Sequence, residues 1–307
     1  MNGVLVVDKP SGPTSHDVVA VARRAFRGDR VGHTGTLDPL ATGVLPLVIG
    51  RATRLASFMT GADKEYVARI RLGLATATYD AEGLTGDEQR ASLAGVTESD
   101  VKQGLAAFVG RYLQTPPPFS AKKIGGTPAY KLARRDRTVQ VAPVEVTATE
   151  VELLGYVDGL AEVRLTCSSG FYVRSLAHDL GGRLGCGAHL EGLRRTRSGE
   201  FTLADAVTLE SIATAGSDAL SQAVLPMERL LCPFPAVVLT VAGAKRVNHG
   251  ADVGPGDFVG RPPADYPEPQ KRGAKDFRFR LLDGDGLLLA LAEPQAGGLL
   301  HPVLVLV

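Results

Sequence analysis

The chain has 307 residues, 44% hydrophobic and 22% charged, which excludes a disordered or collagen-like chain and leaves room for one large domain and a smaller one. No apolar run approaches the ~20 residues that cross a bilayer, and three scattered cysteines (Cys167, Cys186, Cys232) build neither a disulfide framework nor a CxxC metal clip. Net charge is +1, from 34 basic and 33 acidic residues, and by itself offers no case for a polyanionic partner.

In chain order, Val4–Val7 reads as a short buried strand. Asp8 follows before any apolar signal core can form, so the start does not read as a secretion signal, and a reducing cytoplasm is the expected location. Thr14 or Ser15 can cap a helix running to about Phe26, with Asp17 in its first turn and Val18, Val19, Ala22 and Phe26 at helical spacing. Val44–Ile49 is a strand between two glycines. Tyr66–Leu72 alternates, with Tyr66, Ala68, Ile70 and Leu72 on one face. Thr97 caps a helix bearing Val101, Leu105 and Phe108. Gln114–Pro128 is Pro- and Gly-rich and is expected as loop. Val139–Thr166 reads as strands, with turns near Pro143 and Asp158-Gly159. A helix is expected from about Tyr172 to Leu184. Pro233 and Pro235 mark a boundary between residues 1–231 and 232–307. The second part reads as a small β module in which 254–275 is a long polar loop. The whole is α+β.

Charge is unevenly spread. Residues 101–140 sum to +7 and residues 1–60 to +3, whereas 61–100 and 141–170 each sum to −4. The basic window, interleaved with Pro, Phe and Tyr, suits either a phosphate-contacting element or a solvated surface loop.

The densest special chemistry is Gly32-His33-Thr34-Gly35-Thr36-Leu37-Asp38-Pro39-Leu40-Ala41-Thr42-Gly43-Val44-Leu45-Pro46. Pro39 biases Asp38 away from the helical region, and three glycines permit close backbone approach. The loop therefore either presents Asp38 as a catalytic carboxylate or forms an Asx-type turn in which Asp38 bonds its own backbone.

This segment resembles the signature of the TruB family of tRNA pseudouridine synthases. Five further motifs, one before this segment and four after it, stand in matching order. They are Asp8-Lys9-Pro10-Ser11-Gly12-Pro13-Thr14-Ser15, then Lys64-Glu65-Tyr66 with Leu72-Gly73 and Asp80, then Gln114 to Lys123. Gly170-Phe171-Tyr172-Val173-Arg174 to Gly181 is the next, and Leu184 to Leu190 with Leu193-Arg194-Arg195 the last. Six ordered motifs over roughly residues 3–200 are far more specific than one.

The resemblance implies a pseudouridine-synthase-type mixed sheet with flanking helices and a basic insertion at about 101–140. It also implies a small C-terminal PUA-like RNA-binding module, although 232–307 carries no motif that can be matched residue by residue. The implied reaction isomerises uridine 55 in the T-loop of tRNA. It breaks N1–C1′, turns the uracil and makes C5–C1′, with no cofactor and no metal. Asp38 matches the catalytic aspartate, since a carboxylate stabilises or traps positive character on the sugar. Arg174 matches the arginine that pairs with it, keeping it ionised and oriented; by pattern alone it is an exposed helical residue. Tyr66 matches a tyrosine that packs on the uracil and serves in removing the C5 proton, a role compatible with core packing. Tyr172 and Leu193 match residues lining the target nucleotide. His33 matches a residue that contacts RNA where the extruded base leaves a gap, a stacking role ranked above general base. Lys9 and Pro10 brace the loop, with a phosphate contact from Lys9 as the runner-up. Asp80 contacts RNA or orients its neighbours. Lys122, Lys123, Arg134, Arg135 and Arg137 fall in the implied mobile insertion and would contact phosphates. The expected partner is the tRNA T stem-loop, with a monomer, no obligatory protein partner and no membrane. A guide-RNA-dependent relative and an RNA-folding chaperone are the rival readings. The basic insertion argues against the first, and the intact Asp38, Tyr66 and Arg174 against loss of catalysis in the second.

Overall fold

Caps and alternation decide where this chain turns. The computed structural model describes residues 1–86, 89, 91–119, 123–124, 127–128, 142–214, 216–260 and 277–306. β1 (Gly3–Lys9) is apolar on both faces and lies inside a sheet. Thr14 then accepts from the Asp17 N–H through its hydroxyl while the Asp17 carboxylate accepts from the Thr14 N–H. This reciprocal cap starts α1 (Ser15–Ala25). β2 (Val31–His33) and β3 (Ala41–Ile49) follow, then α2 (Ala56–Thr60) and β4 (Lys64–Leu72). In β4, Tyr66, Ala68, Ile70 and Leu72 are all buried, as their alternation predicts. Thr97 and Asp100 repeat the reciprocal cap at α3 (Glu98–Ala106), which leads to β5 (Gly110–Gln114).

Two expectations need adjusting here. Gln114 is not loop but the fully buried last residue of β5. The stretch after it contains a short antiparallel pair, β6 (Lys123–Ile124) and β7 (Thr127–Pro128), where β-branched Ile124 and Thr127 stand opposite one another in a segment that Pro and Gly content alone reads as loop. β8 (Val144–Val157) and β9 (Leu160–Cys167) form the expected hairpin. Its turn residues Asp158 and Gly159 both have left-handed φ, 50° and 75°, which suits the twist of the strands.

The helix expected near Tyr172 is α4 (Val173–Arg183), flanked by Tyr172 and Leu184 as its caps. β10 (Ala188–Ser198), β11 (Phe201–Thr202), β12 (Ala206–Thr208), α5 (Leu209–Thr214), α6 (Ser217–Ala223) and β13 (Leu225–Pro226) complete this part. The large sheet runs β12-β1-β3-β10-β4-β9-β8-β5, with β2 added on β3, β11 on β10 and β13 on β1. It is mixed, because β1–β12 and β3–β10 pair in parallel. Side chains from α1, α3, α4 and α5 bury against one face, beside Leu5, Leu45, Ile70 and Val163.

The C-terminal part forms its own four-stranded sheet, β14-β15-β16-β17. The strands are β14 (Ala236–Val238), β15 (Phe279–Leu282), β16 (Leu288–Pro294) and β17 (Leu300–Val305), with α7 (Val241–Asn248) packed on them. Leu288, Leu291 and Leu306 reach out of it and pack with Val4, Val44 and Leu55 of the first part. Of the expected loop 254–275, residues 254–260 are described and open with a single turn at Pro255–Asp257. The rest of that expectation lies outside the described residues.

Candidate active site

The loop before β3 is gripped from three sides. Ser15, the first residue of α1, accepts the Leu37 N–H at 2.8 Å and donates to the Leu37 carbonyl at 3.0 Å. The Gly12 N–H donates to the Pro39 carbonyl at 2.9 Å. Lys9 has no exposed surface, and its Nζ donates to the carbonyls of Pro10 at 2.8 Å and Pro39 at 3.2 Å. Lys9 and Pro10 thus sit where loop bracing requires, and Lys9 has no surface left for a phosphate. Burial pushes the Lys9 ammonium down to about 8, with Asp38 pulling the other way.

Asp38 is the tip of this loop. It faces a cavity of about 270 Å³ whose walls include Tyr66, Tyr172, Arg174 and Leu193. Four of the expected site residues therefore do meet Asp38 around one space. The Asx-turn alternative gives way to an ion pair, with Arg174 Nε 2.9 Å from Asp38 Oδ2. Arg174 is buried on α4, not exposed. Its Nη1 donates to Asp80 Oδ2 and to the Thr78 carbonyl, each at 3.2 Å, and its Nη2 to the Phe119 carbonyl at 3.0 Å. The start of α4 is itself locked. Gln114 accepts from the Tyr172 N–H and donates to the Tyr172 carbonyl, and Ser175 donates to the Thr115 carbonyl.

Asp80 is 2% exposed, and the Thr78 hydroxyl and Glu82 N–H donate to its second oxygen. Both carboxylate oxygens are thus engaged, one by Arg174 and the other by its own loop. Burial, helped by the Asp80 charge, holds the Asp38 carboxyl above its ordinary value, and the Arg174 guanidinium pulls it back toward the ionised form.

Tyr66 is buried on β4 beside Arg195, and burial pushes its phenol up. His33, at the end of β2, is not among the residues lining the cavity. Its ring meets His16 edge-on with centroids 5.5 Å apart, and its Nδ1 is buried without a hydrogen-bond partner among the described residues. Burial lowers its pKa, which favours the neutral ring expected of a stacking residue. Lys122, Arg134, Arg135 and Arg137 lie outside the described residues, and Lys123 is described only as part of β6.

The cavity also holds two residues that were quoted in motifs but given no role, Lys64 and Arg195. Strand periodicity contained the signal. Lys64 lies two positions before Tyr66 on β4, and Arg195 two after Leu193 on β10, so each shares a face with a named site residue.

Comparison with known proteins fits this geometry. Residues 23–173 match the model described as "TruB family pseudouridylate synthase (N terminal domain)", and 174–232 match the "tRNA pseudouridylate synthase B C-terminal domain". A protein of Solibacter usitatus named tRNA pseudouridine synthase B is 43% identical over 308 residues, covering 100% of both chains. The chain belongs to the TruB family of pseudouridine synthases. Another TruB relative, the tRNA pseudouridine synthase B of Xanthomonas oryzae pv. oryzae, is 44% identical over 253 residues and 81% of each chain. Among solved structures, a chain of the archaeal box H/ACA sRNP Nop10-Cbf5 complex matches with a TM-score of 0.73 at 26% identity, over 100% of this chain and 86% of its own. Family membership makes the protein an isomerase.

Proposed function

We propose that the protein converts uridine 55 in the T-loop of tRNA to pseudouridine, acting on a nucleotide flipped into the Asp38 cavity. One observation carries this reading. A carboxylate stands on a stiff loop at the wall of a cavity about the size of a nucleoside, held by a buried arginine beside a buried tyrosine. A uridine in a folded loop reaches such a cavity only after unstacking, at a cost of a few kcal/mol. Stacking of an RNA base on His33 offsets part of that cost.

Once the nucleotide is seated, Asp38 acts where positive character develops on the sugar. Attack at C1′, addition to the uracil ring and removal of the C2′ proton all call for a carboxylate here. Arg174 fixes its orientation, Asp80 fixes Arg174, and Tyr66 packs on the uracil and serves at the C5 proton. Tyr172 and Leu193 shape the walls. Lys122, Lys123, Arg134, Arg135 and Arg137 contact phosphates of the stem-loop.

Residues 1–231 form the catalytic domain and 232–307 a PUA-like RNA-binding domain, a division supported by the separate C-terminal sheet. The protein works in the cytoplasm as a monomer without an obligatory protein partner. Full-length relatives named tRNA pseudouridine synthase B, at 41–43% identity, favour this over the guide-dependent reading, since the H/ACA ribonucleoprotein chains reach 26–28%.

Asp38→Asn tests the reading. Pseudouridine formation on a T stem-loop RNA is expected to fall below detection, a loss of at least ~10²-fold, with RNA binding largely kept. Persistent turnover by that variant overturns the assignment. Changing Lys122, Lys123, Arg134 and Arg135 together to Ala is expected to weaken RNA binding and flatten its salt dependence. An unchanged salt slope removes their phosphate role.

A further inference from the structure

Lys64 and Arg195 present an electrostatic problem that the site as described leaves unanswered. Lys64 is 6% exposed and Arg195 1%, and both line the cavity. Buried cations are ordinarily paired with a carboxylate. Arg174 obeys that rule twice, through Asp38 and Asp80. Among the described residues, Lys64 and Arg195 have no such partner. Lys64 Nζ donates to the Thr60 and Ala62 carbonyls, each at 2.6 Å. Arg195 donates to the Val44 carbonyl at 2.6 Å and the Gly35 carbonyl at 3.1 Å. Carbonyl dipoles solvate a cation but leave its charge in place, and the Lys64 ammonium keeps one N–H beyond its two bonds.

The two cations also belong to one wall. Arg195 and Tyr66 are opposite one another in the β10–β4 register, and Lys64 shares the face of Tyr66. Asp38 and Arg174 come from elsewhere, the loop before β3 and helix α4. The cavity thus has a strand wall with two uncompensated positive charges and a loop-and-helix wall where a carboxylate meets its own arginine.

We propose that Lys64 and Arg195 stabilise the negative charge that the uracil acquires when its bond to the ribose breaks. The inference deepens the proposed pseudouridine reading of this cavity and rests on it. In the routes where Asp38 acts at the sugar, cleavage sends the N1–C1′ electron pair to N1. The uracil becomes an anion spread over N1 and its oxygens, and C1′ becomes electron-poor or C2′ gives its proton to Asp38. After the ring turns, a C5 electron pair forms C5–C1′ as Asp38 leaves C1′ with its own electron pair where it had bonded there, or returns the proton to C2′ where it had taken it. The C5 proton then leaves to a base and N1 gains one, so the sum is an isomerisation. Between those events the ring that packs on Tyr66 is anionic, and the wall that carries Tyr66 is cationic. Fixed charges aimed at a developing charge need no reorganisation when it appears.

The test uses the full chain and two T stem-loop RNAs, one with uridine and one with 5-fluorouridine at the target position. Fluorine at C5 withdraws electrons and stabilises the uracil anion, so that ring needs less help to leave. Lys64→Met is expected to slow single-turnover uridine consumption about 100-fold, to slow 5-fluorouridine consumption less than tenfold, and to leave RNA affinity unchanged. Equal losses on both RNAs overturn the proposal, as does a loss confined to affinity and its salt slope, which marks a phosphate contact instead.

Lys64→Arg gives a second arm that keeps the charge. Burial and Arg195 push the Lys64 ammonium down to about 8, against Asp63 and the Cys167 thiol. Wild-type conversion is therefore expected to fall as pH rises past about 8, and Lys64→Arg to hold its rate to higher pH. Lys9 is unchanged in that variant, so its own titration cannot produce the difference. Identical alkaline limbs overturn the proposal. If the wild type forms no pseudouridine on either RNA, the function reading itself fails, a result distinct from variants that lose both substrates equally.

Discussion

Two buried arginines stand around one cavity and are stabilised in opposite ways. Arg174 holds two carboxylates and two carbonyls. Arg195 holds backbone carbonyls. The first arrangement pairs its cation twice: removing Arg174 leaves two carboxylates, one of them buried, without their partner. The second leaves charge standing in the cavity, costly to the empty protein and available to a substrate. Stability and chemistry are therefore expected to respond differently to changes on the two walls.

The largest expected effect is on the paired wall. Arg174→Met leaves Asp38 and the buried Asp80 facing each other and is expected to cost about 3–5 kcal/mol in urea denaturation. Arg195→Met removes an uncompensated cation as well as its hydrogen bonds, so its expected cost is smaller, about 1–3 kcal/mol. The reverse order would break the comparison.

A subtler effect lies in the pH profile. Because burial raises the Asp38 carboxyl, the acid limb of activity is expected above the ordinary carboxylate value of 3.8, with the rate falling as pH falls and Asp38 takes up its proton. Asp80→Asn removes a neighbouring negative charge and leaves more of Arg174 to Asp38. The limb then moves to lower pH, in a pH series of single-turnover rates. A limb that moves upward would show that Asp80 acts only through the fold.

The smallest effect concerns Lys9. Its pKa falls from 10.5 to about 8 on folding, so between those values the unfolded chain binds more protons and stability rises with pH. Lys9→Met is expected to flatten part of that rise in denaturation curves taken from pH 8 to pH 10.

Local chemistry made much of this legible from sequence. The Thr97 cap, the alternation of β4 and the Asp158-Gly159 turn are decided within a few residues, and the structure keeps all of them and chooses Thr14 over Ser15 as the first cap. The Asp38–Arg174 pair was reachable only through the resemblance, because no local rule joins a loop to a helix so far along the chain. Lys64 and Arg195 were readable in principle. Period two puts each beside a named residue, but a lysine or arginine in a strand is ordinarily assigned to solvent. Asp80 could not be settled from sequence, since a carboxylate that touches RNA and one that steadies an arginine look alike until burial is known.

Strand β3 has one further consequence. It follows directly from the Asp38 loop, and its two faces serve different neighbours. Leu45, Leu47 and Ile49 pack under the helices, while Val44 and Val48 pack with Leu288, Leu291 and Leu306 from the far end of the chain. Arg54 adds a bond to the Val305 carbonyl. The C-terminal module is thus part of the foundation on which the reactive loop stands, more keystone than appendage. Thermal melting of the two parts should proceed as one event, and a chain ended at residue 232 should lose the posture of Asp38 along with whatever RNA surface the module offers.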